Sequence, residues 1–227
     1  MPVRTTTLQQ CEILDGPRSA IAHHYSLTDL AELQADFHAA ISSEDTYVVG
    51  VSVELAPKGA CLRTLVLALR GQVFCLSLGQ RPNVKQRQVL QELFSNIHYL
   101  TGFEMPYTIV LLAHFLGFNI SGYDLTTTTI PHRTKSRGSM TPGGFWNSIN
   151  PSVNPHRVNK RWDGGITRGK RNPSGTPRPN YAIRAWFTAM CVSSLPLLLL
   201  FADICFQGCR QGFAIYPPRA TTKHRIC

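Results

Sequence analysis

The pattern of hydrophobic and polar positions predicts alternating strands and helices between residues 19 and 125. Short apolar runs are typical of buried strands, whereas apolar residues that recur every three or four positions are typical of amphipathic helices. A capping-box-like start, Ser26 to Asp29, precedes the first helical pattern, and Arg70-Gly71 joins two apolar runs as a hairpin turn would. In chain order the pattern predicts a strand at 19–25, a helix at 28–41, a strand at 46–55, strands at 62–69 and 72–78, a helix at 84–94, a strand at 97–103 and a helix at 106–116.

This order of elements predicts an α/β fold with a mixed sheet flanked by helices. The periodicity ends after Thr126, and residues 131–180 are rich in Arg, Lys, Gly, Pro, Asn and Ser with few aliphatic residues. Such a composition buries too little apolar surface to offset chain entropy, which predicts disorder. We therefore expect a folded domain at 18–127, a basic disordered segment at 128–184, and a hydrophobic segment with a C-terminal tail at 185–227.

Charge is distributed unevenly along the 227 residues. Residues 1–130 carry 8 Lys/Arg and 11 Asp/Glu, a net charge of −3, whereas residues 131–184 carry 11 and 1, a net charge of +10. The basic excess therefore lies outside the expected domain, and a basic patch on the domain itself does not follow from the high pI. Within the basic segment, the residues expected to neutralise phosphates of single-stranded nucleic acid are Lys160, Arg161, Arg168, Lys170 and Arg171, with Phe145, Trp146, Trp162 and Tyr181 as stacking partners. The alternative is a solvated tail.

Residues 185–202 form an uncharged, largely apolar stretch between Arg184 and Asp203. Eighteen residues is the short end of a membrane-spanning helix, and Pro196 weakens that interpretation. Membrane anchoring, a segment that docks on the domain, and a tail without an evolved fold are the three alternatives that the sequence leaves open.

The seven cysteines are odd in number and scattered, and no secretory signal is visible at the N-terminus. This pattern favours a reducing compartment and an intracellular location, nuclear or cytoplasmic, rather than a disulfide framework. Cys205, Cys209 and His224 match no standard zinc spacing, so no metal site is expected from them.

The strand Thr46 to Leu55 delivers one carboxylate, Glu54, at its end. Residues two apart on a strand share a face, so the natural partner of Glu54 in a metal site is position 52, which is a serine. Two divalent ions that activate a water and stabilise a leaving oxygen need several anionic oxygen ligands. One carboxylate and a neutral hydroxyl do not meet that need.

The element order and two local motifs resemble the DEDD-type 3'-5' exonuclease domain, a ribonuclease H-like fold found in ribonuclease D-like enzymes and family-A DNA polymerases. The resemblance covers about residues 18–127 and is carried by the strand Val48 to Glu54, by Leu100 to Ile109, and by the Leu116-Gly-Phe and Tyr123-Asp-Leu motifs. It implies metal-binding acids at positions 52, 54 and 108, which are Ser52, Glu54 and Thr108 here. The last acidic motif of the family, an Asp four residues after Tyr or His, is absent because Tyr181 leads to Ala185.

These substitutions predict a catalytically degenerate, incomplete exonuclease-like domain that serves as a structural or nucleic-acid-associated module, such as a piece or isoform of a family-A polymerase-type protein. Neither a bound metal nor another cofactor is expected in that case. An active exonuclease with substituted ligands, which would use Mg²⁺ or Mn²⁺, is one rival, and a membrane-anchored protein that recruits protein partners is the other.

Overall fold

A seven-stranded mixed sheet forms the centre of the computed structural model. The structure describes residues 4–9, 19–44, 48–56, 62–126, 141–149, 152, 154–163 and 179–193. The strands are β1 (Arg4–Gln9), β2 (Ser19–Ser26), β3 (Val48–Leu55), β4 (Leu62–Ala68), β5 (Gln72–Ser77), β6 (Tyr99–Gly102) and β7 (Tyr123–Asp124), and the helices are α1 (Leu30–Glu44), α2 (Val84–Ser95), α3 (Met105–Leu116), α4 (Pro142–Ile149), α5 (Pro155–Asp163) and α6 (Pro179–Ser193).

The strand order in the sheet is β1-β2-β5-β4-β3-β6-β7. β3, β4 and β5 form an antiparallel meander, while β2 runs parallel to β5 and β6 runs parallel to β3. The predicted mixed α/β sheet is therefore confirmed. Because β3 and β6 are parallel, their carboxyl ends meet at the same edge of the sheet, and residues that follow both strands lie close together there.

Helices α1, α2 and α3, which the periodicity predicts, cover one face of the sheet. Their buried residues, such as Phe37, Leu93 and Leu112, form one core with Val51 and Leu67 from the strands. Asn83 caps α2: its side chain accepts from the Gln86 backbone N–H, and the Gln86 side chain accepts from the Asn83 N–H in return. α3 begins with Pro106 in its first turn and ends at Gly117, which has a φ of 81°.

The opposite face of the sheet is covered by α6. A Cβ added at Gly50 would overlap the carbonyl oxygen of Ala185 and lie 2.7 Å from the Ala189 nitrogen, so the helix backbone rests directly on β3. Trp186 is fully buried, and its Nε1 donates to the Arg70 carbonyl oxygen at 2.8 Å. α6 is therefore an integral layer of the fold.

The structure differs here from the expected segments. Helices α4, α5 and the first turns of α6 lie within 128–184, where disorder was predicted, and α6 extends to Ser193 within the expected hydrophobic segment. By their contacts, the described helices and strands all belong to one compact unit, residues 1–195. The composition of the region was misleading because a few apolar residues, among them Phe145, Trp146 and Val158, are concentrated on helix faces that pack inward.

Of the three alternatives for residues 185–202, the structure supports docking for the described part. Residues 185 to 190 are all buried in the packing of α6. Residues 194–202 lie outside the described residues. Among the helices that the structure describes, none has the length and apolar character needed to cross a bilayer.

The pattern also missed β1. This edge strand pairs antiparallel with β2, from Arg4 opposite His24 to Gln9 opposite Ser19. Its sequence, Arg-Thr-Thr-Thr-Leu-Gln, contains one aliphatic residue, and Leu8 is the one buried side chain among its described positions. β-branched threonines suit an exposed edge strand, but they carry no apolar alternation.

Candidate functional site

The candidate site lies on β3, on the sheet face that α6 covers. Gly50, Ser52 and Glu54 alternate onto this face, whereas Val49 and Val51 point into the core under α1 to α3. Position 52 and position 54 are about 7 Å apart along the strand, since each residue of a strand advances about 3.3 Å. Ser52 is half-buried, and Glu54 is buried with 4% of its surface exposed.

Both carboxylate oxygens of Glu54 have protein partners. The Thr64 hydroxyl donates to Oε2 at 3.1 Å, and a guanidinium nitrogen of Arg63 lies 3.7 Å from Oε1. Thr64 is directly opposite Glu54 on the neighbouring strand β4. The buried negative charge is thus neutralised by a cation and solvated by a hydroxyl, as a buried carboxylate requires.

Thr108, the second substituted position, lies in the first turn of α3, which follows β6. It is buried with 7% of its surface exposed. It shares the inward helix face with Met105 and Leu112, three residues before and four residues after it. Within the described residues, the polar partners of Glu54 are Thr64 and Arg63, and neither Ser52 nor Thr108 is among them.

Ala185 lies over the same strand face as Glu54. Its carbonyl oxygen occupies the space that a side chain at Gly50 would need, and its own side chain is fully buried. Tyr181 precedes it by one helical turn and is half-buried. Tyr181 and Ala185, whose secondary structure the sequence did not predict, therefore both lie on α6, and Ala185 contacts β3.

An aromatic cluster lies next to this position. Phe103, which directly follows β6, packs edge-on against Trp162 of α5 and Phe145 of α4, with ring centroids 5.0 Å and 5.9 Å away. The Arg184 guanidinium lies over the rings of Trp162 and Tyr181, and its Nε and one terminal nitrogen donate to the Trp162 carbonyl oxygen at 3.0 Å and 2.7 Å. The cluster holds α5 and α6 together at the carboxyl end of β6.

This packing changes the interpretation of the four aromatic residues that the sequence singled out as stacking partners for bases. Phe145 and Trp146 are buried, with exposed fractions of 0% and 2%, so they serve the core. Trp162 and Tyr181 are half-buried and stack on Arg184. The prediction of base stacking was wrong for Phe145 and Trp146, because their apolar rings complete the packing of α4.

The predicted basic residues are divided between described and undescribed parts of the chain. Lys160 and Arg161 lie in α5, beside the exposed Arg157. Arg168, Lys170 and Arg171 lie outside the described residues. Their role in binding nucleic acid stays a prediction.

The donor set at Glu54 does not fit a divalent metal ion. Among the described residues there is no group of three or more His, Cys, Asp or Glu side chains that could hold one. Ser52 and Thr108 can offer neutral oxygens only, Ala185 offers no side-chain oxygen, and Arg63 brings a positive charge to the one carboxylate. Magnesium and manganese favour anionic oxygen ligands, so this environment disfavours them.

The fold is similar to solved exonuclease domains. The EXO domain of Aedes aegypti Nibbler has a TM-score of 0.53 at 12% identity, covering 79% of this chain and 89% of that domain. RNase D of Trypanosoma brucei, solved as a GMP complex, has a TM-score of 0.55 at 14% identity, covering 88% of this chain and 67% of that chain. NrnC of Brucella melitensis has a TM-score of 0.51 at 12% identity over 88% of this chain and 97% of that one.

The chain has the fold of a DEDD-type 3'-5' exonuclease domain. The sequence matches no protein-family model and has no significant similarity to a curated protein. The predicted resemblance is confirmed at the level of the fold, and each of the three solved structures covers a larger share of this chain than residues 18–127 make up.

Two residues of the site were missed by the sequence pattern, Arg63 and Thr64. Both lie in an apolar run that predicted a strand, and nothing local to that run indicates which residue faces Glu54. The signal that was available is the short connection between β3 and β4, because antiparallel neighbours joined by a short loop place the end of one strand opposite the start of the next.

Proposed function

We propose that this chain is a catalytically degenerate 3'-5' exonuclease-fold module that associates with single-stranded nucleic acid or serves as a structural scaffold. The observation that carries the proposal is the environment of Glu54, the one acid left among positions 52, 54, 108 and 185. Its carboxylate is buried, accepts a hydrogen bond from Thr64 and forms an ion pair with Arg63. Two-metal hydrolysis needs several carboxylates at that place.

We further infer that Ala185 occupies the position of the last acid of the family motif. The support is threefold: Tyr181 precedes it by four residues, as the motif requires, both residues lie on α6, and α6 packs on the strand that carries Glu54. With an alanine there, three of the four acids are replaced by residues without a negative charge.

A nuclease assay tests the loss of catalysis. Purified protein is incubated with 5'-labelled single-stranded DNA and RNA in the presence of Mg²⁺ or Mn²⁺, and shortening from the 3' end is followed. We expect no shortening above the level of the Glu54→Gln variant. Metal-dependent degradation that Glu54→Gln abolishes would instead establish the rival function, an active exonuclease with substituted ligands.

Association with nucleic acid is proposed to depend on the basic residues Lys160, Arg161, Arg168, Lys170 and Arg171. The support is their charge and, for the first two, their place in α5 beside Arg157. The solved relative from Trypanosoma brucei contains GMP. A bound nucleotide in a protein of the same fold makes nucleic acid the ligand to test first.

Salt-dependent binding tests this part of the proposal. Replacing all five residues by Gln should lower the affinity for a single-stranded oligonucleotide and reduce the slope of log K against log salt by about 3.5, since each phosphate contact contributes about 0.7 for single strands. A control variant with Gln at the four basic residues Arg210, Arg219, Lys223 and Arg225 should retain most of the slope. Equal slopes for the two variants would contradict the assignment.

Two expectations stay predictions: an origin as a piece or isoform of a family-A polymerase-type protein, and the recruitment of protein partners. Membrane association through residues 185–202 is the remaining rival function. For this rival, carbonate-resistant membrane association of the full chain is the direct test. Because residues 185 to 190 are buried in the fold, we expect the full chain to be released by carbonate.

A further inference from the structure

Arg63 owes its position beside Glu54 to an irregularity in the β3–β4 pairing. Glu54 is opposite Thr64 and Leu55 is opposite Leu62, so Arg63 is an extra residue on β4 at a β-bulge. Leu62 belongs to the core under α1 to α3, whereas Thr64 is on the face of Glu54. Because of the bulge, Leu62 and Thr64 point to opposite faces of the sheet although they are two residues apart. The bulge also places the Arg63 side chain beside Glu54.

The Arg63 side chain is 30% exposed, whereas the Glu54 side chain is 5% exposed. Arg63 is thus the more exposed member of the pair, and its positive charge weakens the attraction that Glu54 exerts on a cation approaching from solvent. The Thr64 hydroxyl donates a hydrogen bond to the second carboxylate oxygen of Glu54. The Ala185 backbone of α6 packs against Gly50 on the same face of β3.

We propose that Arg63 is a tethered cation that replaces a divalent metal ion beside Glu54 and keeps such ions out. This inference rests on the proposed function and deepens it, since it names what took over the neutralising role of the metal. A fixed guanidinium neutralises the carboxylate without any bound ion, and it repels a second cation at the same place. On this proposal the site disfavours a metal ion for two reasons: it has too few acidic residues, and Arg63 repels cations.

The test is to rebuild a two-carboxylate site with and without the tethered cation. Ser52→Asp places a second carboxylate on the same strand face as Glu54. The binding of Mn²⁺ is measured by electron paramagnetic resonance for Ser52→Asp alone and for Ser52→Asp combined with Arg63→Gln. We expect the Kd to be at least tenfold lower in the combined variant, because removing the guanidinium removes the repulsion.

Two controls separate a local effect from a general change of charge. Ser52→Asp combined with Arg81→Gln removes a guanidinium that bonds the His114 carbonyl oxygen instead, and it should bind Mn²⁺ as weakly as Ser52→Asp alone. Adding Glu54→Gln to the combined variant should abolish the gain. Equal Mn²⁺ affinity with and without Arg63, or a gain that survives Glu54→Gln, would overturn the proposal.

The Arg63→Gln variants leave a buried carboxylate unpaired and for that reason could fail to fold without metal. In that event the recovery of far-UV circular dichroism on refolding is measured against Mn²⁺ concentration. The proposal is supported if Mn²⁺ restores the circular dichroism signal of Ser52→Asp/Arg63→Gln but not that of the same variant with Glu54→Gln added. It is contradicted if millimolar Mn²⁺ restores no signal in Ser52→Asp/Arg63→Gln. If the wild-type protein is inactive and its Arg63 variants gain no Mn²⁺ affinity, this inference alone is overturned. If the wild-type protein has nuclease activity that depends on Glu54, the proposed function is overturned.

Discussion

Single residues determine how poorly the environment of Glu54 suits a divalent metal ion. Ser52 and Thr108 lack the charge that a divalent ion needs, Ala185 lacks any side-chain ligand, and Arg63 supplies the opposite charge at Glu54. A buried carboxylate without a partner would be costly, which explains why Thr64 and Arg63 contact Glu54.

Glu104 has a backbone conformation that is unusual for its residue type. It precedes α3, is exposed, and has a φ of 58° and a ψ of 39°, the left-handed region that a glutamate adopts rarely. Its side chain makes no capping hydrogen bond to the helix. The left-handed conformation lies in the two-residue connection between β6 and α3, where the chain changes direction.

Replacing Glu104 by Asn should therefore stabilise the protein. Asn tolerates the left-handed region, and strain of this kind costs about 1 kcal/mol or more. We expect the free energy of unfolding in urea to rise by about 1 kcal/mol. Glu104→Gln, which removes the charge and retains the strain, is the matched control, and equal stability of the Asn and Gln variants would contradict the explanation.

At the scale of elements, the contact between α6 and β3 decides the shape of the site. Small residues on the sheet face, Gly50 and Ala68, are opposite one another, and α6 lies across β3 and β4 with Ala185 and Ala189 at the closest approach. Trp186 fixes the helix at the turn between β4 and β5. The position of α6 that lies nearest to β3 is therefore an alanine, which offers no side-chain ligand.

Gly50→Ala should destabilise the protein by about 3 kcal/mol, at the upper end of typical overpacking effects, because its Cβ would meet the backbone of α6 and not a movable side chain. Thermal or urea unfolding measures the loss. Ser52→Ala, two residues further on the same face, is the control, and it should cost less than about 1 kcal/mol. A Gly50→Ala variant as stable as that control would contradict the close packing of α6.

The pairing of β1 with β2 should respond to pH through His24. Its Nε2 lies 2.8 Å from the Thr6 hydroxyl, and its pKa is lowered by burial first, then by the nearby charges of Arg4 and His23. Burial also lowers the pKa of His23. A lowered pKa means that the folded state favours the neutral ring.

Stability should accordingly fall as the pH is lowered from 7.5 to 5. The two histidines contribute fully to stability at a pH above their pKa in the unfolded chain, about 6.5. That contribution is lost as the pH falls through their lower pKa values in the folded state, since the unfolded chain then binds more protons. His24→Gln should make the dependence of the melting temperature on pH shallower. An unchanged slope, or a protein that gains stability on acidification in this window, would argue against this explanation.

At the scale of the whole molecule, the fold is completed by elements at both ends of the described chain. β1 extends the sheet, and α6 covers a face whose buried strand residues include Val66 and Cys75. Burial of Cys75 raises the pKa of its thiol to about 12, consistent with an unreactive core residue. A chain limited to residues 18–127 would leave that face exposed to water.

We therefore expect residues 18–127 alone not to unfold cooperatively, and residues 1–195 to do so. The loss of α6 exposes apolar surface on several strands, and each 100 Å² of such surface is worth about 2.5 kcal/mol. Urea titration followed by circular dichroism and amide chemical-shift dispersion distinguish the two fragments. Cooperative unfolding of 18–127 with stability equal to that of 1–195 would show that α6 contributes little.

The sequence by itself determined the alternation of strands and helices from residue 19 to 125, because that information lies in periods of two and about 3.6 residues within each element. It also determined that Ser52 and Thr108 cannot act as acids, since that depends on residue identity alone. Only the tertiary structure decided that α6 covers β3, that Ala185 faces the strand of Glu54, and that a bulge brings Arg63 to the carboxylate. Those facts depend on the register between segments ten to more than one hundred residues apart, which no local pattern records.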